Sequence, residues 1–198
     1  MKNKFKYVIA GVLLATVIQT KSFAQQKQTD DMTQMLDFSR PGNMHALLGQ
    51  LAGTWNFQDA KLSFVKATLV RKPIYDGRFY EAEITGGKLP LPVADGKMKL
   101  DNYQGMQIEG YDNPRMKFFT SAINNHIGSD IQVETGTYDA VKKQFTYDCD
   151  SELIKGQPKK NRRIISITDN NHYTETYYEL QSGQYVKVRE LDYTRKQD

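Results

Sequence analysis

The chain has 198 residues, of which 39% are hydrophobic and 25% are charged. This length suits a single domain with a substantial core, and the one cysteine, Cys149, excludes an internal disulfide as a source of stability. The formal net charge of +4 is too small to indicate a strongly basic surface of the kind that binds nucleic acid.

The first 24 residues are typical of a secretory signal peptide. Lys2, Lys4 and Lys6 precede an apolar run over residues 7–18, and Ser22-Phe23-Ala24 supplies a cleavage site. That run is shorter than the roughly 18 apolar residues that a membrane-spanning helix needs. We therefore predict an exported, soluble protein, periplasmic or secreted, that has no membrane anchor after the signal peptide is removed.

Removal of this segment brings the charge balance to zero. It contains four basic residues and no acidic one, so the remaining chain has 23 basic and 23 acidic residues. An even balance favours neither nucleic acid nor anionic lipid as a partner. The basic run over residues 159–163 has no interleaved aromatic residues for base stacking, and we interpret it as a solvated loop that leads into a strand.

The next segment, residues 25–40, begins with a polar stretch rich in Gln, Thr and Asp, and we predict a flexible leader there. Pro41-Gly42-Asn43 then provides the chemistry of a helix start. Met44, Leu47, Leu48 and Leu51 form one apolar stripe before Gly53 ends the helix. This pattern predicts a short helix across one end of the domain that occupies residues 41–198.

From Trp55 onward the dominant period is two, which predicts about ten strands. Asp76-Gly77, Asn113-Pro114, Asp169-Asn170-Asn171 and Ser182-Gly183 are turn signals between successive strands. Strands joined by such short turns form an antiparallel meander, and closing the meander into a barrel removes its exposed edges. We predict an all-β, up-and-down β-barrel, with residues 86–102 as a long loop at its mouth.

The order of several short motifs resembles a known family. Gly53-Thr54-Trp55, Glu109-Gly110-Tyr111-Asp112-Asn113 and Tyr193-Thr194-Arg195 are similar to the signatures of a bacterial lipocalin-like (calycin-type) family of exported proteins that is catalogued only as a domain of unknown function. The resemblance covers residues 45–196. It implies a lipocalin-like barrel and supplies no activity.

The resemblance also implies a structural role for two residues. In lipocalin-like barrels a tryptophan of the first strand packs at the closed base, and an arginine of the last strand covers its face. Here these residues are Trp55 and Arg195. A cation over an indole ring stabilises by about 0.5–2 kcal/mol.

Four polar residues on the last three strands are candidates for ligand binding. Glu175 and Tyr177 share one face of their strand by the period of two, and Glu190 shares a face with Val186 and Val188. If that face is interior, Glu190 points into the barrel, where Arg162 could pair with it. We interpret Arg162, Glu175, Tyr177 and Glu190 either as a polar anchor for a ligand or as an internal salt-bridge network that sets strand register.

Aromatic residues in strand positions, among them Tyr111, would complete such a site, although about half of them must face outward. The sequence contains no recognisable catalytic motif, no metal-ligand spacing around His45, His126 or His172, and no signature of a cofactor. We expect each histidine to be a surface or capping residue.

Three hypotheses about function follow. The first is a binding protein that holds a small hydrophobic or amphipathic molecule inside the barrel. The second is a protein interaction module whose barrel is filled by its own side chains. The third is an enzyme or a haem-binding barrel that uses one histidine, and it is the least favoured of the three.

Overall fold

The structure is a computed structural model, and it describes residues 27–197. The predicted signal peptide, residues 1–24, lies outside the described residues. No helix within residues 27–197 is long and apolar enough to cross a membrane.

The chain divides into two units at Arg40. In the first unit, residues 27–38 form a helix, α1, whose side chains are all exposed. The segment for which the sequence predicts a flexible leader is thus helical over most of its length, and its flexibility stays a prediction.

The second unit, from Pro41 onward, consists of one short helix and ten strands. The helix is α2, Asn43–Gly49. The strands are β1 Gly53–Asp59, β2 Lys66–Ile74, β3 Phe79–Pro92, β4 Met98–Asp112, β5 Lys117–Asn124, β6 Gln132–Asp139, β7 Gln144–Ser151, β8 Lys159–Ile167, β9 His172–Gln181 and β10 Gln184–Arg195.

The ten strands form a closed barrel in which each strand pairs antiparallel with the next along the chain, and β10 pairs with β1. The predicted ten-stranded antiparallel barrel with a short N-terminal helix is therefore confirmed. The Asp76-Gly77 signal is a tight turn in which both residues have positive φ, at 57° and 79°.

The two ends of the barrel differ. One end, which we call the base, carries α2 and the four short turns at residues 75–78, 113–116, 140–143 and 168–171. The other end, which we call the mouth, carries the five connections at residues 60–65, 93–97, 125–131, 152–158 and 182–183. Helix α2 packs against β3, β4 and the first base turn.

The predicted long loop over residues 86–102 is wrong, because residues 86–92 and 98–102 continue β3 and β4 as a two-stranded ribbon and only residues 93–97 form the connection. The pairing resumes at Lys88 and Asn102 after a register shift that begins at Thr85. The adjacent glycines Gly86 and Gly87 supply this bulge. Pro90 and Pro92 are tolerated because each strand of a two-stranded ribbon has one edge that needs no N–H donor.

Candidate functional site

The base is closed by a stack that begins with Arg195. The guanidinium carbon of Arg195 lies 4.1 Å from the centre of the Trp55 ring. Trp55 then contacts Tyr173 edge to face, and Tyr173 stacks on Tyr193 at 4.2 Å between ring centroids. Three buried aromatic rings and the Arg195 guanidinium therefore pack closely on this side of the base.

Arg195 also completes the end of α2. It donates hydrogen bonds to the carbonyl oxygens of Ala52, Gln50 and Asn170 at 2.6, 3.1 and 2.7 Å. Gly53 makes this possible: its φ is 122°, and a Cβ at this position would collide with the Arg195 guanidinium. Two contacts thus explain the Gly53-Thr54-Trp55 motif: Gly53 lets the Arg195 guanidinium approach the backbone closely, and the Trp55 ring stacks against the same guanidinium.

A buried ion pair lies above this stack. Arg71 of β2 binds Glu109 of β4 through two hydrogen bonds of 2.8 and 3.0 Å, and both side chains are at least 98% buried. A third donor of Arg71 reaches the carbonyl of Leu51 at 3.1 Å. Burial opposes the charge of Arg71, but Glu109 outweighs it, so the pKa of the guanidinium is raised.

A second charged network crosses the middle of the barrel. Arg163 of β8 donates to Glu134 of β6 at 2.8 Å and to Glu175 of β9 at 3.4 Å. Thr120 donates to Glu134 at 2.9 Å, and Tyr177 donates to Glu175 at 2.7 Å. We call these five residues the Arg163 network.

The charges of the Arg163 network hold one another in place. Burial disfavours the charge of Arg163, but Glu134 and Glu175 outweigh that effect, and the pKa of Arg163 is raised well above its usual value. Burial and then the charge of Glu175 raise the pKa of Tyr177. The Tyr177 hydroxyl is therefore a neutral donor at physiological pH.

The buried ionisable side chains of the two networks do not balance. Two guanidiniums, Arg71 and Arg163, face three carboxyl groups, those of Glu109, Glu134 and Glu175. All five side chains are at most 5% exposed. The two networks therefore contain one more acidic than basic side chain.

One amide on the mouth side of these networks has an open hydrogen-bonding position. Gln107 follows the inward-facing parity of Glu109 on β4, and its Oε1 is buried without a hydrogen-bond partner among residues 27–197. Its two cross-strand neighbours are alanines, Ala82 and Ala122. A buried acceptor that has no hydrogen-bond partner is costly.

The mouth is bordered by polar side chains that solvent reaches. Arg189 donates to Asp59 at 3.0 Å, and the side chain of Arg189 is 44% exposed. Burial opposes ionisation of Asp59, but the N–H groups of Lys61 and Leu62 together with Arg189 outweigh it and lower the pKa of that carboxyl. Tyr103 is half-buried beside Gly86 and Gly105.

The structure brings together two of the predicted ligand-binding residues. Glu175 and Tyr177 lie on the interior face of β9 and belong to the Arg163 network. Tyr111 faces inward at the base, where its ring contacts those of His45 and Phe118 at 5.8 and 4.8 Å between centroids. A role of these three residues in ligand binding stays a prediction.

The predicted interior position of Arg162 is wrong. Arg162 faces outward, donates to Asp148 at 2.7 Å and lies over the Tyr185 ring at 4.0 Å. The interior position belongs to its neighbour Arg163. The period of two could have shown this, because Arg163 is in phase with Ile165 and Ile167, the more apolar parity of β8.

The predicted interior position of Glu190 is also wrong. Glu190 accepts hydrogen bonds from Thr176 and Lys187 on the outer face. The physical reason is a bulge between Lys187 and Arg189, which inserts Val188 and reverses the parity of the strand. Val186 and Glu190 therefore lie on opposite faces, and Glu190 does not pair with Arg162.

Several interior residues had no sequence signal strong enough to single them out. Arg71, Glu109 and Glu134 are charged residues within strands, and from the sequence alone each could equally well face solvent. Their common signal is that each shares its parity with residues of the core or packed against it. Arg71 is in phase with the buried Leu69, and Glu109 and Glu134 are in phase with the partly buried Tyr111 and Tyr138. That signal is clear only when the parity of each strand is known.

A concavity lies on the outer face of strands β10, β1, β2 and β3 and has a volume of about 430 Å³. Outward polar side chains line it, including Asn56, Gln58, Thr68 and Asp192. Small-molecule sites are mostly apolar and enclosed, so this depression fits solvated surface better than a binding site.

The histidines are engaged elsewhere. His45 is buried, and its Nδ1 accepts the N–H of Gly42 at 3.0 Å, which caps α2. Burial lowers the pKa of His45, and this effect outweighs a hydrogen bond to the backbone of Tyr111, which raises the pKa. Both ring nitrogens are thus used. Within residues 27–197 no group of three or more His, Cys, Asp or Glu side chains is arranged to hold a metal ion.

These features define a class: a closed ten-stranded antiparallel barrel with a helix against its base and charged networks across its interior. The chain belongs to the DUF1579 family, a protein family of unknown function, whose family model matches residues 40–195. No curated protein matches the chain. The predicted membership of a family catalogued as a domain of unknown function is confirmed at this level.

Proposed function

We propose that this protein is a lipocalin-like binding protein that holds a small amphipathic molecule inside the barrel. The observation that carries the proposal is the buried, unpartnered Oε1 of Gln107 between Ala82 and Ala122. A ligand group that donates a hydrogen bond there would satisfy the orphaned acceptor.

The surplus of carboxyl groups supports a donor as the polar end of the ligand. With three buried carboxyl groups against two guanidiniums, a hydroxyl or amine is favoured over a carboxylate. Glu175 and Tyr177 of the Arg163 network would orient this polar end from the opposite wall. The ligand would enter through the mouth, where Arg189 and Tyr103 lie.

The experiment is native mass spectrometry of the protein purified from an exported form, compared with its denatured mass. An excess mass that disappears on denaturation is expected. The variant Gln107→Leu should lose this mass and keep or raise the free energy of unfolding, because it removes an unsatisfied buried amide. The matched control is Gln104→Leu on the exposed face of the same strand, which should retain the bound mass.

Two results would contradict the proposal. A bare mass from several growth conditions would favour a filled barrel, and so would equal retention of a bound molecule by Gln107→Leu and the wild type. In the second case the bound molecule would lie outside the barrel interior, and the outer depression near Asn56 would be tested next.

A further inference from the structure

The mouth of the barrel carries large exposed apolar side chains, and the base carries few. On each of the four longer mouth connections or the strand ends beside them, at least two such side chains face solvent: Leu62 and Phe64; Val93, Met98 and Leu100; Ile127 and Ile131; Leu153 and Ile154. Val186 and Val188 extend the set beside the fifth connection. Three of the four base turns carry one each, namely Tyr75, Met116 and Val141.

Apolar side chains distributed in this way do not form one flat patch. They lie on separate connections around one end of the barrel, because antiparallel strands return alternate connections to the same end. A rigid protein partner would have to match every connection in shape. A fluid, planar surface contacts all of them without such complementarity.

The charges beside these side chains indicate the chemistry of that surface. Lys61, Lys97 and Lys155 are each adjacent in sequence to one of the apolar residues. Lys66 begins β2, and Lys88 lies on the ribbon of β3 and β4. Among the described residues, no carboxylate lies within salt-bridge distance of these five ammonium groups.

Most carboxylates at the mouth already form a salt bridge or a hydrogen bond. Asp59, Asp101, Asp150 and Glu179 form salt bridges, and Glu152 accepts the N–H of Gly156 in its own loop. Asp95 and Asp130 are the other carboxylates of the mouth connections. Five lysines without a salt-bridge partner stand against three such carboxylates, Asp95, Asp130 and Glu152, so this end has an excess of two positive charges (5 − 3), although the chain after the signal peptide is balanced on average.

We propose that the mouth docks on the surface of an anionic lipid bilayer. Its apolar side chains would enter the boundary between head groups and acyl chains, and its lysines would contact the head groups. Lysine is depleted at protein–protein interfaces, where Tyr, Trp and Arg dominate, so this composition favours lipid over a protein partner. The proposal does not rest on the presence of a ligand inside the barrel.

The test is sedimentation of the full chain with vesicles of phosphatidylcholine, with and without phosphatidylglycerol. The wild type should bind the vesicles that contain phosphatidylglycerol. A triple variant of the mouth, Phe64→Ser with Ile127→Ser and Ile154→Ser, should bind at least tenfold more weakly. The matched control at the base, Tyr75→Ser with Met116→Ser and Val141→Ser, should bind as the wild type does.

The charge contribution is tested separately with Lys61→Gln, Lys97→Gln and Lys155→Gln combined. This variant should lose at least tenfold in binding to the anionic vesicles and little in binding to phosphatidylcholine alone. All variants share the same N-terminal residues, so the apolar run over residues 7–18 contributes equally to each. The substituted apolar side chains are exposed, and circular dichroism should show the same fold for every variant.

Three outcomes would overturn the proposal. The first is a wild type that binds neither type of vesicle. The second is an equal loss of binding in the mouth and base variants. The third is a stable dimer in light scattering that the mouth variant abolishes, which would assign these side chains to a second copy of the chain. None of these outcomes depends on the Gln107 experiment, so the two proposals fail independently.

Discussion

Two adjacent arginines on β8 have opposite environments. The side chain of Arg163 is 4% exposed between Glu134 and Glu175, and that of Arg162 is 33% exposed beside Asp148. An exposed pair contributes at most about 1 kcal/mol, whereas loss of one partner from a buried network leaves uncompensated charge. The same residue type one position apart therefore has very different effects on stability.

This difference predicts the result of two matched substitutions. Arg163→Met should reduce the free energy of unfolding by about 3–5 kcal/mol, because Glu134 and Glu175 lose their cation. Arg162→Met should reduce it by about 1 kcal/mol or less. Urea denaturation measures both changes. Equal losses would contradict the assignment of Arg163 to the interior.

The stack of Arg195 on Trp55 gives a second prediction at this scale. The single variants Trp55→Leu and Arg195→Leu should both destabilise the barrel, the first because it removes a buried aromatic ring and the second because it also loses three hydrogen bonds to carbonyl groups. A double-mutant cycle should show a coupling energy of about 0.5–2 kcal/mol, which isolates the stacked pair. Additive effects in the cycle would contradict a direct energetic contribution of the stack.

At the level of elements, side chains from other parts of the barrel stabilise the C-terminal end of α2. The helix has no basic residue in its last turn, and Arg71 and Arg195 donate to the carbonyl groups that follow it. At its start, the ring of His45 accepts the N–H of Gly42. Because this acceptor is an imidazole nitrogen, protonation would remove the cap.

The stability of α2 should therefore depend on pH. The pKa of His45 is lowered in the folded state, so its contribution is present above the unfolded value of 6.5 and is lost as the pH falls from there toward the folded pKa. His45→Gln keeps an acceptor at this position of the capping box but does not titrate. We choose pH 7.5 and pH 5.5 because they lie on either side of the ordinary histidine pKa of about 6.5. Between these two values the melting temperature of the wild type should fall more than that of His45→Gln. Parallel curves for the two proteins would disprove the effect, since His126 and His172 are common to both.

The elements also show what could be predicted from sequence. The strand count, the antiparallel order and the short helix follow from a period of two and from turn chemistry such as Asp76-Gly77. The outward position of Arg162 could have been predicted from the apolar parity of β8, but that of Glu190 could not, because parity along a strand is reversed by one inserted residue. Val188 is such an insertion, and nothing in its identity distinguishes it from Val186.

The ribbon of β3 and β4 was missed for a related reason. Gly86-Gly87, Pro90 and Pro92 are typical of loops, and only pairing with β4 shows that the strand continues past them. Glu134 illustrates the same limit for the candidate site, because its partner Arg163 lies 29 positions away in the chain. Both the continuation of the strand and the pairing of Glu134 depend on contacts between residues far apart in the chain, and local sequence patterns do not show such contacts.

The whole barrel encloses several tyrosines, and this gives a prediction for alkaline pH. Burial raises the pKa of Tyr147, Tyr173, Tyr177 and Tyr193. In the unfolded chain these groups lose their protons near pH 10, about the value for free tyrosine, whereas in the folded barrel they keep them. Stability is thus fully present below that pH and is lost as the pH rises above it.

Each of these tyrosines should contribute about 1.4 kcal/mol of lost stability per pH unit above pH 10. The free energy of unfolding, measured in urea at successive pH values, should therefore fall steeply in this range. Tyr193→Phe should reduce the slope, and Tyr75→Phe, at an exposed base turn, should leave it unchanged. A slope that is the same in all three proteins would mean that the buried hydroxyl groups ionise without unfolding.

The pairing of β1 with β10 has a further consequence for the way the chain can be rearranged. Trp55 lies opposite Arg195, so the seam that closes the barrel joins the two most distant strands in sequence. Every other strand pair is joined by a direct connection along the chain. A circular permutant with new ends at the exposed Val141 turn and a linker across the seam would keep all ten pairings. In that permutant the β1–β10 pair would become local and the β6–β7 pair would join the two ends of the chain, so the mean sequence separation of contacts, and with it the folding rate, should change little.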